Sequence, residues 1–340
     1  MKRTEWIDRA KGIGIILVVI GHSTQYLYTD KLAAAVTAVI YSFHMPLFFL
    51  LSGMYAESSL ERRGTKEFLA DKLRTIVYPY VVYSLFEGSY RYALGKTTGF
   101  TDFVGLHQIA SFYYKPLYHY WFLYALAATF FIFAAAVAIF HRTGRPLAIL
   151  SIVAVSVFML SGLMPHNIAR QLAETFIYFV AGAHFSRVIG LTKTPLGDPR
   201  ADIAVALGTL FILGNVLYFS GLAPDAPRLI QSLGFSTIGI ACTTVIAFAL
   251  RDRSAASACL AYLGRLSMAI YIFHIPPMAI VKYLLDSHDI HGLLPHALIE
   301  CSIGLAVPVL IARYVEPRLP NLYRWHAGAS RQRHEQLKAS

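Results

Sequence analysis

The residues whose spacing first suggests chemistry are Lys11 and His22, eleven positions apart in the stretch RAKGIGIILVVIGH. On an α-helix this spacing brings both side chains to one face, with His22 about 16 Å further along the axis than Lys11. A lysine can bind an anionic group, and a neutral imidazole can take a proton from a hydroxyl near pH 7. The spacing therefore predicts an anion-binding group and a base on one side of one helix.

A second histidine, His44, lies in another apolar stretch, SFHMPLFFLLSG. If the two stretches form adjacent antiparallel helices, His44 reaches a depth similar to that of His22. Ionisable groups inside a bilayer usually face a bundle interior or a cavity, so both histidines are candidate catalytic residues. The alternatives are a helix-to-helix hydrogen bond for each histidine and simple snorkelling of Lys11 to the membrane edge.

Other chemistries lack local signals in this sequence. There is no HExxH zinc motif and no GxSxG nucleophile motif. The three cysteines are scattered through apolar segments without CxxC spacing, which indicates packing residues and predicts no metal site. Imidazole is therefore the best candidate base.

The composition requires that these residues be positioned by membrane helices. The chain has 340 residues, of which 56% are hydrophobic and 14% charged, with a mean hydropathy of +0.52. This is too apolar for a soluble domain. The net charge of +11 is spread over short connections, as membrane topology alone produces, so we expect no nucleic-acid partner.

We predict an all-α, polytopic integral membrane protein with about ten transmembrane helices. A domain over 1–320 is followed by a basic cytoplasmic tail over 321–340, near anionic lipid. The predicted spans are 12–29, 33–56, 74–94, 118–140, 146–164, 173–190, 201–221, 229–250, 262–285 and 293–315. With the N-terminus inside, 23 of the 30 Lys and Arg residues fall on the inner side, which favours cytoplasmic location of both termini.

Two further groups of residues flank the predicted spans. Lys72 and Arg74 close a basic inner loop onto the third span, where they satisfy topology but also form an anion-binding rim. On the outer side, the stretch SFYYKPLYHYWFLY contains Tyr118, Tyr120 and Trp121. Such an aromatic cluster is typical of residues that anchor a chain at the lipid headgroups.

Five stretches, in order, resemble the membrane-bound acyltransferase-3 family, and within it the branch of fucose 4-O-acetylase-like sugar O-acetyltransferases. They are WIDRAKGIGIILVVIGH, SFHMPLFFLLSG, RTIVYPYVVYSL, WFLYAL and YLGRLSMAIYIFHIP. The most specific motif of this resemblance is a basic residue followed, after ten intervening residues, by a histidine. In this chain Lys11 and His22 match that motif. The resemblance runs over nearly the whole chain.

This resemblance implies a ten-helix, multi-pass protein of the bacterial inner membrane that moves an acetyl group from cytoplasmic acetyl-CoA to an extracytoplasmic sugar hydroxyl. His22 would be the catalytic histidine and Lys11 its basic partner. The family usually has two arginines separated by two residues at the start of the third helix, where this chain has Lys72 and Arg74 with one residue between them. Trp121 and His274 fall in blocks that recur in the family, and we group them with Tyr118 and Tyr120 as candidate substrate-binding residues.

The residues leave several alternatives open. His22 could act as a base or as a transient acyl carrier, with His44 orienting it or lining the acceptor path. The acceptor could be an exopolysaccharide, a lipopolysaccharide or an oligosaccharide, and the donor could carry a short acyl group other than acetyl. The rival functions are a secondary transporter of a sugar or small acid that relays protons through its histidines, and a receptor or assembly factor with a degenerate site.

Overall fold

The computed structural model describes residues 5–25, 27, 30–98, 104–191, 209, 228–250, 254–290 and 292–319. Over these ranges the chain is helical and contains no β-strand, which confirms the predicted all-α class. The predicted span 201–221 and the tail 321–340 lie outside the described residues. The α-helices are α1 (Glu5–Thr24), α2 (Lys31–Lys72), α3 (Tyr78–Thr98), α4 (Leu106–Ala110), α5 (Trp121–Phe140), α6 (Pro146–Ser161), α7 (Ile168–Leu191), α8 (Arg228–Ala249), α9 (Ala255–Arg265), α10 (Ser267–Phe273), α11 (Ile275–Ser287) and α12 (Leu293–Leu310).

Among the described residues, three helical stretches are long and apolar enough to cross a membrane: Lys31–Ala93, Tyr118–Thr143 and Leu293–Arg318. A fourth becomes available if the bent pair α9 and α10 forms one span. Two shorter apolar helices, Pro146–Ser161 and Leu233–Ala249, add to this set. The count of ten spans and the cytoplasmic location of both termini stay predictions.

The chain divides into two compact units, which we describe separately. The first unit combines Met1–Leu51 with Phe185–Arg318, and the second combines Ser52–His184 with Leu319–Ser340. Helix α2 contributes its first half to the first unit and its second half to the second unit. The predicted single domain over 1–320 stays a prediction.

In the first unit, α1 and α9 touch backbone to backbone. A Cβ at Gly264 would lie 1.7 Å from the carbonyl oxygen of Asp8, so no larger residue fits this crossing. Beside it, the buried Arg9 donates from Nε to the carbonyl oxygen of Ala247 at 2.7 Å and from Nη1 to Ser257 Oγ at 3.2 Å. These contacts fix α1 against both α8 and α9.

Two helix boundaries differ from the predicted spans at the beginning of the chain. Helix α1 covers 5–24 instead of 12–29, which places His22 in its last turn. The basic run expected as an inner loop is instead the helical end of α2, bent at Gly64, where φ is 74° and ψ is 163°. The run stays helical because Phe68 is fully buried and anchors its apolar side.

Within the predicted span 262–285 the structure breaks the helix twice, and the span itself stays a prediction. Helices α9 and α10 meet at an angle of 63° around Leu266. A second break falls at His274, immediately before the sequence Ile275-Pro276-Pro277. Both prolines lack the N–H that would continue the hydrogen-bond ladder of α10, so the helix restarts there as α11.

An aromatic core holds the second unit together. A Cβ at Gly53 on α2 would lie 1.9 Å from the carbonyl oxygen of Phe179 on α7, so these helices also cross in close contact. Around this crossing, the ring of Phe130 lies 5.1 Å from that of Phe179 and 5.8 Å from that of Phe68, measured between centroids. These are distances at which aromatic pairs attract in edge-to-face geometry.

Candidate functional site

The last turn of α1 carries His22 and is covered by a tyrosine from α2. A Cβ at Gly21 would lie 2.5 Å from Tyr41 Cε1, so the absence of a side chain at Gly21 lets the tyrosine ring rest on α1. The ring centroids of Tyr41 and His22 are 6.1 Å apart. Gly21 thus allows Tyr41 to lie directly beside the histidine.

The hydrogen bonds of Tyr41 favour one protonation pattern for His22. Its hydroxyl donates to Gln25 Oε1 at 2.7 Å, which uses the only proton of the phenol. Towards His22 Nδ1, at 3.4 Å, the same oxygen can therefore only accept. This arrangement suits the tautomer with a proton on Nδ1, which leaves Nε2 of His22 with a lone pair for proton abstraction.

A third histidine, His274, joins this region from the break between α10 and α11. Its ring centroid is 5.1 Å from that of His22, and its side chain is fully buried. Nδ1 of His274 donates to the carbonyl oxygens of Ile270 at 3.0 Å and Tyr271 at 2.9 Å. In the neutral ring, Nε2 is therefore a hydrogen-bond acceptor, and the helix break fixes the position of the ring.

His44 lies on α2 beside Tyr41. It is buried, donates from Nδ1 to the carbonyl oxygen of Ile40 at 2.8 Å, and has its ring centroid 5.0 Å from that of Tyr41. Tyr41 therefore lies beside both His44 and His22. Sequence reasoning missed Tyr41, although it precedes His44 by three residues and so shares its helix face.

The described residues contain no group of three His, Cys, Asp or Glu side chains that could hold a metal ion. We call His22, Tyr41, His44 and His274 the histidine cluster. Its members come from α1, α2 and the α10–α11 break, all within the first unit.

Lys11 lies eleven residues before His22 in the same uninterrupted helix, as the spacing argument requires. It is half-buried. Its neighbour Arg9 is the buried residue that joins α1 to α8 and α9, so the two basic residues of this stretch differ in accessibility. Lys11 is the less buried of the two.

The other basic candidates belong to the second unit. Lys72 Nζ lies 3.3 Å from Asp71 Oδ2 and 4.5 Å from the centroid of the Phe130 ring, and Arg63 also pairs with Asp71 at 2.5 Å. Lys72 is thus engaged within the protein. Arg74 is exposed and lies on a π-helical segment, Leu73–Val77, a local irregularity that is frequent at functional sites.

The aromatic candidates also belong to the second unit, and the structure separates them by burial. Tyr118 is 43% exposed, whereas Tyr120 is buried with its ring centroid 4.1 Å from that of His119. Trp121 begins α5 and is half-buried. Only Tyr118 therefore offers a substantial part of its ring to a ligand.

The fold and the site define a class: an all-helical protein with membrane-compatible helices and three histidines clustered around the end of its first helix. The model of the acyltransferase-3 family, described as an acyltransferase domain, matches residues 4–313. The chain therefore belongs to the acyltransferase-3 family, a membrane-associated family, and the predicted resemblance is confirmed.

Two curated relatives are similar to parts of the chain. Nodulation protein NolL of Sinorhizobium fredii (strain NBRC 101917 / NGR234) is 30% identical over 190 residues, which is 54% of this chain and 48% of that protein. Nodulation protein NolL of Mesorhizobium japonicum (strain LMG 29417 / CECT 9101 / MAFF 303099) is 37% identical over 76 residues, which is 21% of this chain and 20% of that protein. The aligned part of the chain thus spans about half the length of the first relative and about one fifth of the length of the second. No solved structure matches the chain.

Proposed function

We propose that this acyltransferase moves an acetyl group from cytoplasmic acetyl-CoA to a hydroxyl of an extracytoplasmic sugar or polysaccharide. The proposal includes ten spans in the bacterial inner membrane with both termini cytoplasmic. The observation that carries it is the convergence of His22, His274 and Tyr41 at the end of α1, within an acyltransferase-3 chain. The branch that acts on fucose supplies the first acceptor to test.

In this mechanism His22 Nε2 takes the proton of the acceptor hydroxyl as its oxygen attacks the thioester carbonyl. The carbon–sulfur bond breaks, and the leaving CoA thiolate receives the proton from the His22 imidazolium, so the reaction releases no net proton. The alternative is attack by His22 itself, with a transient acyl-histidine that the acceptor then resolves. In both routes, the ring of His274 lies beside the ring that reacts.

The anionic donor needs cationic groups on the cytoplasmic side. Lys11 and Arg74 are the accessible candidates for the CoA phosphates, and Lys72 contributes positive charge while it remains paired with Asp71. Tyr118, whose ring is the most exposed of the predicted aromatic residues, is the first candidate for the acceptor sugar on the outer side, and the half-buried Trp121 is the second. Membrane lipid surrounds the apolar helices.

The test uses purified protein in lipid nanodiscs with labelled acetyl-CoA and methyl α-L-fucopyranoside, together with other methyl glycosides. Wild type should form the acetylated glycoside, and His22→Ala should lower the rate at least about 100-fold, the usual contribution of a general base. His184→Ala is the matched control, because this histidine bonds Ser151 Oγ in the second unit and should leave the rate nearly unchanged.

The same preparation separates the enzyme from a transporter. If a glycoside crosses liposome membranes without acyl-CoA, and no acylated product forms with any acceptor, the enzyme proposal is abandoned.

In cells, deletion of this protein should lower the mass of the surface glycan by one acetyl group per modified residue, as measured by mass spectrometry. An acyl-histidine is detected by label retained on the protein when acceptor is omitted and lost in His22→Ala.

A further inference from the structure

A buried ion pair lies on α3 in the second unit. Arg91 Nε is 2.9 Å from Glu87 Oε1, and the two side chains are 2% and 0% exposed. Burying two charges has a large desolvation penalty, and apolar residues of similar size commonly give equal stability. In a protein of membrane helices, buried ionisable groups usually serve binding or catalysis, so this pair is a candidate for a functional role.

The residues 104–120, which we call the outer segment, lie along the same helix. The hydroxyl of Tyr80 donates to the carbonyl oxygen of Phe112. A Cβ at Gly88 would lie 2.9 Å from Ile109 Cγ1, so the segment also packs closely onto the middle of α3. The outer segment is thus fixed to α3 over about two helical turns.

The last contact of the outer segment with α3 joins the ion pair to an aromatic ring. The guanidinium carbon of Arg91 lies 4.3 Å from the centroid of the Tyr118 ring, well within cation–π range. Glu87 holds the guanidinium from one side while the ring of Tyr118 covers it from another. The buried pair therefore supports the position of Tyr118.

The backbone of Tyr118 is itself unusual. Its φ is 44°, and among the described non-glycine residues only Tyr118 and Asp289 have positive φ. This conformation is unfavourable for an aromatic residue, persists only where surrounding contacts enforce it, and occurs preferentially at ligand sites. Even so, 43% of Tyr118 stays exposed, while His119 and Tyr120 beside it are buried.

We propose that Tyr118, held in place by Arg91 and Glu87, is the contact surface for a pyranose ring of the glycan acceptor. The negative face of the phenol attracts the C–H groups of a sugar ring, and its hydroxyl can bond a sugar hydroxyl. Arg91 and Glu87 are positioning residues that need not touch the sugar. This inference rests on the proposed function. It assigns contact with the acceptor to Tyr118, and it assigns the positioning of Tyr118 to Arg91 and Glu87.

The experiment measures the KM of methyl α-L-fucopyranoside and of acetyl-CoA, and the thermal unfolding midpoint, for Tyr118→Gly, Tyr118→Ala and Arg91→Lys. Both Tyr118 variants should raise the acceptor KM about three- to tenfold with an unchanged acetyl-CoA KM. Tyr118→Gly should unfold at a higher temperature than Tyr118→Ala, because glycine accepts the positive φ without strain. Arg91→Lys keeps the charge but loses the planar stacking group, so it should also raise the acceptor KM.

Tyr113→Ala and Tyr114→Ala are the matched controls, since both residues are exposed tyrosines of the outer segment. Neither should change the acceptor KM. If Tyr113→Ala raises the acceptor KM as much as Tyr118→Ala, the tyrosines are interfacial anchors and the proposal is overturned. An unchanged acceptor KM in Tyr118→Gly also overturns it, as does an Arg91→Lys variant that lowers only the unfolding midpoint.

A binding measurement separates this inference from the proposed function. Saturation-transfer NMR with methyl α-L-fucopyranoside and methyl β-D-glucopyranoside requires no acetyl-CoA. Binding by wild type that is lost in Tyr118→Gly supports the sugar contact even if no acetyl is transferred, in which case only the proposed reaction fails. Acetyl transfer by wild type, with glycoside binding unaffected in Tyr118→Gly, leaves the reaction standing and removes the sugar contact.

Discussion

Two of the buried polar regions of this protein, the histidine cluster at the end of α1 and the ion pair on α3, differ in their chemistry. Around the end of α1, His44 and His274 are imidazoles that donate to backbone carbonyl oxygens of their own helices. On α3, by contrast, Glu87 and Arg91 are full charges that compensate each other. A neutral group satisfied by its own backbone can lose a neighbour at small energetic cost, whereas a buried charge cannot. We therefore expect substitutions in the first region to lower the rate of the reaction and substitutions in the second to lower the stability of the fold.

The largest expected effect is on stability at the ion pair. Glu87→Ala leaves the Arg91 charge buried and uncompensated, so it should lower the free energy of unfolding by about 3–5 kcal/mol. The double variant Glu87→Leu with Arg91→Met removes both charges and should recover most of this loss. Thermal unfolding of purified protein measures both. Equal destabilisation in the single and double variants would contradict the account of the pair as mutually compensating charges.

The next effect distinguishes the two histidines that flank His22. His274→Ala removes a ring that directly neighbours His22, so we expect kcat to fall about tenfold through misplacement of the base. His44→Ala removes a ring that lies against Tyr41 and should lower kcat less. Initial rates of acetyl transfer at saturating acetyl-CoA give the comparison. Should His44→Ala prove the more damaging, His44 and not His274 would be the partner of His22.

A smaller effect concerns the contact that places Tyr41 beside His22. Gly21→Ala introduces a Cβ 2.5 Å from the Tyr41 ring, and the overpacking should destabilise the protein by about 1–3 kcal/mol and lower kcat. Gly234→Ala on α8 is the matched control, because a Cβ there meets nothing within 4 Å. That control should be neutral or stabilising, since alanine favours helix. Unfolding midpoints and rates for the two variants test the difference.

The smallest effect is expected for Tyr41→Phe. The ring still fits over Gly21, but the hydrogen bond to Gln25 is lost. Because the group is partly exposed, losing this bond should lower the free energy of unfolding by about 1 kcal/mol at most. We expect kcat to fall about twofold or less, with an unchanged unfolding midpoint. A loss as large as that of His274→Ala would show that the Tyr41 hydroxyl controls the protonation of His22 and would assign it a larger part in the reaction.

Much of the helical framework was predictable because its signals are local. Apolar runs of membrane length and the positions of Pro and Gly indicated where helices lie, and nine of the ten predicted spans overlap described helices. Of the two departures from the predicted elements described next, the first has a local cause that was visible in the sequence and the second has a tertiary cause. Pro276 and Pro277 remove two backbone donors and break the ninth span, and the charged end of α2 stays helical because Phe68 is buried beneath it.

The candidate site was predictable only in part. The pairing of Lys11 with His22 follows from helical periodicity and needs no neighbour. The burial of Tyr120 and the partial exposure of Tyr118 depend on how the outer segment packs onto α3, and both residues looked equivalent in the aromatic stretch. The engagement of Lys72 by Asp71 and two phenylalanine rings likewise follows from packing within the second unit.

By itself, the sequence determined the helical class, the face shared by Lys11 and His22, and the family to which the chain belongs, because these depend on composition, local periodicity and motif order. Only the tertiary structure decided what lies beside His22. His274 is more than 250 residues away along the chain, and Tyr41 reaches His22 only because Gly21 leaves room for its ring. Contacts of this kind arise from close packing between helices, where a single side chain decides the fit.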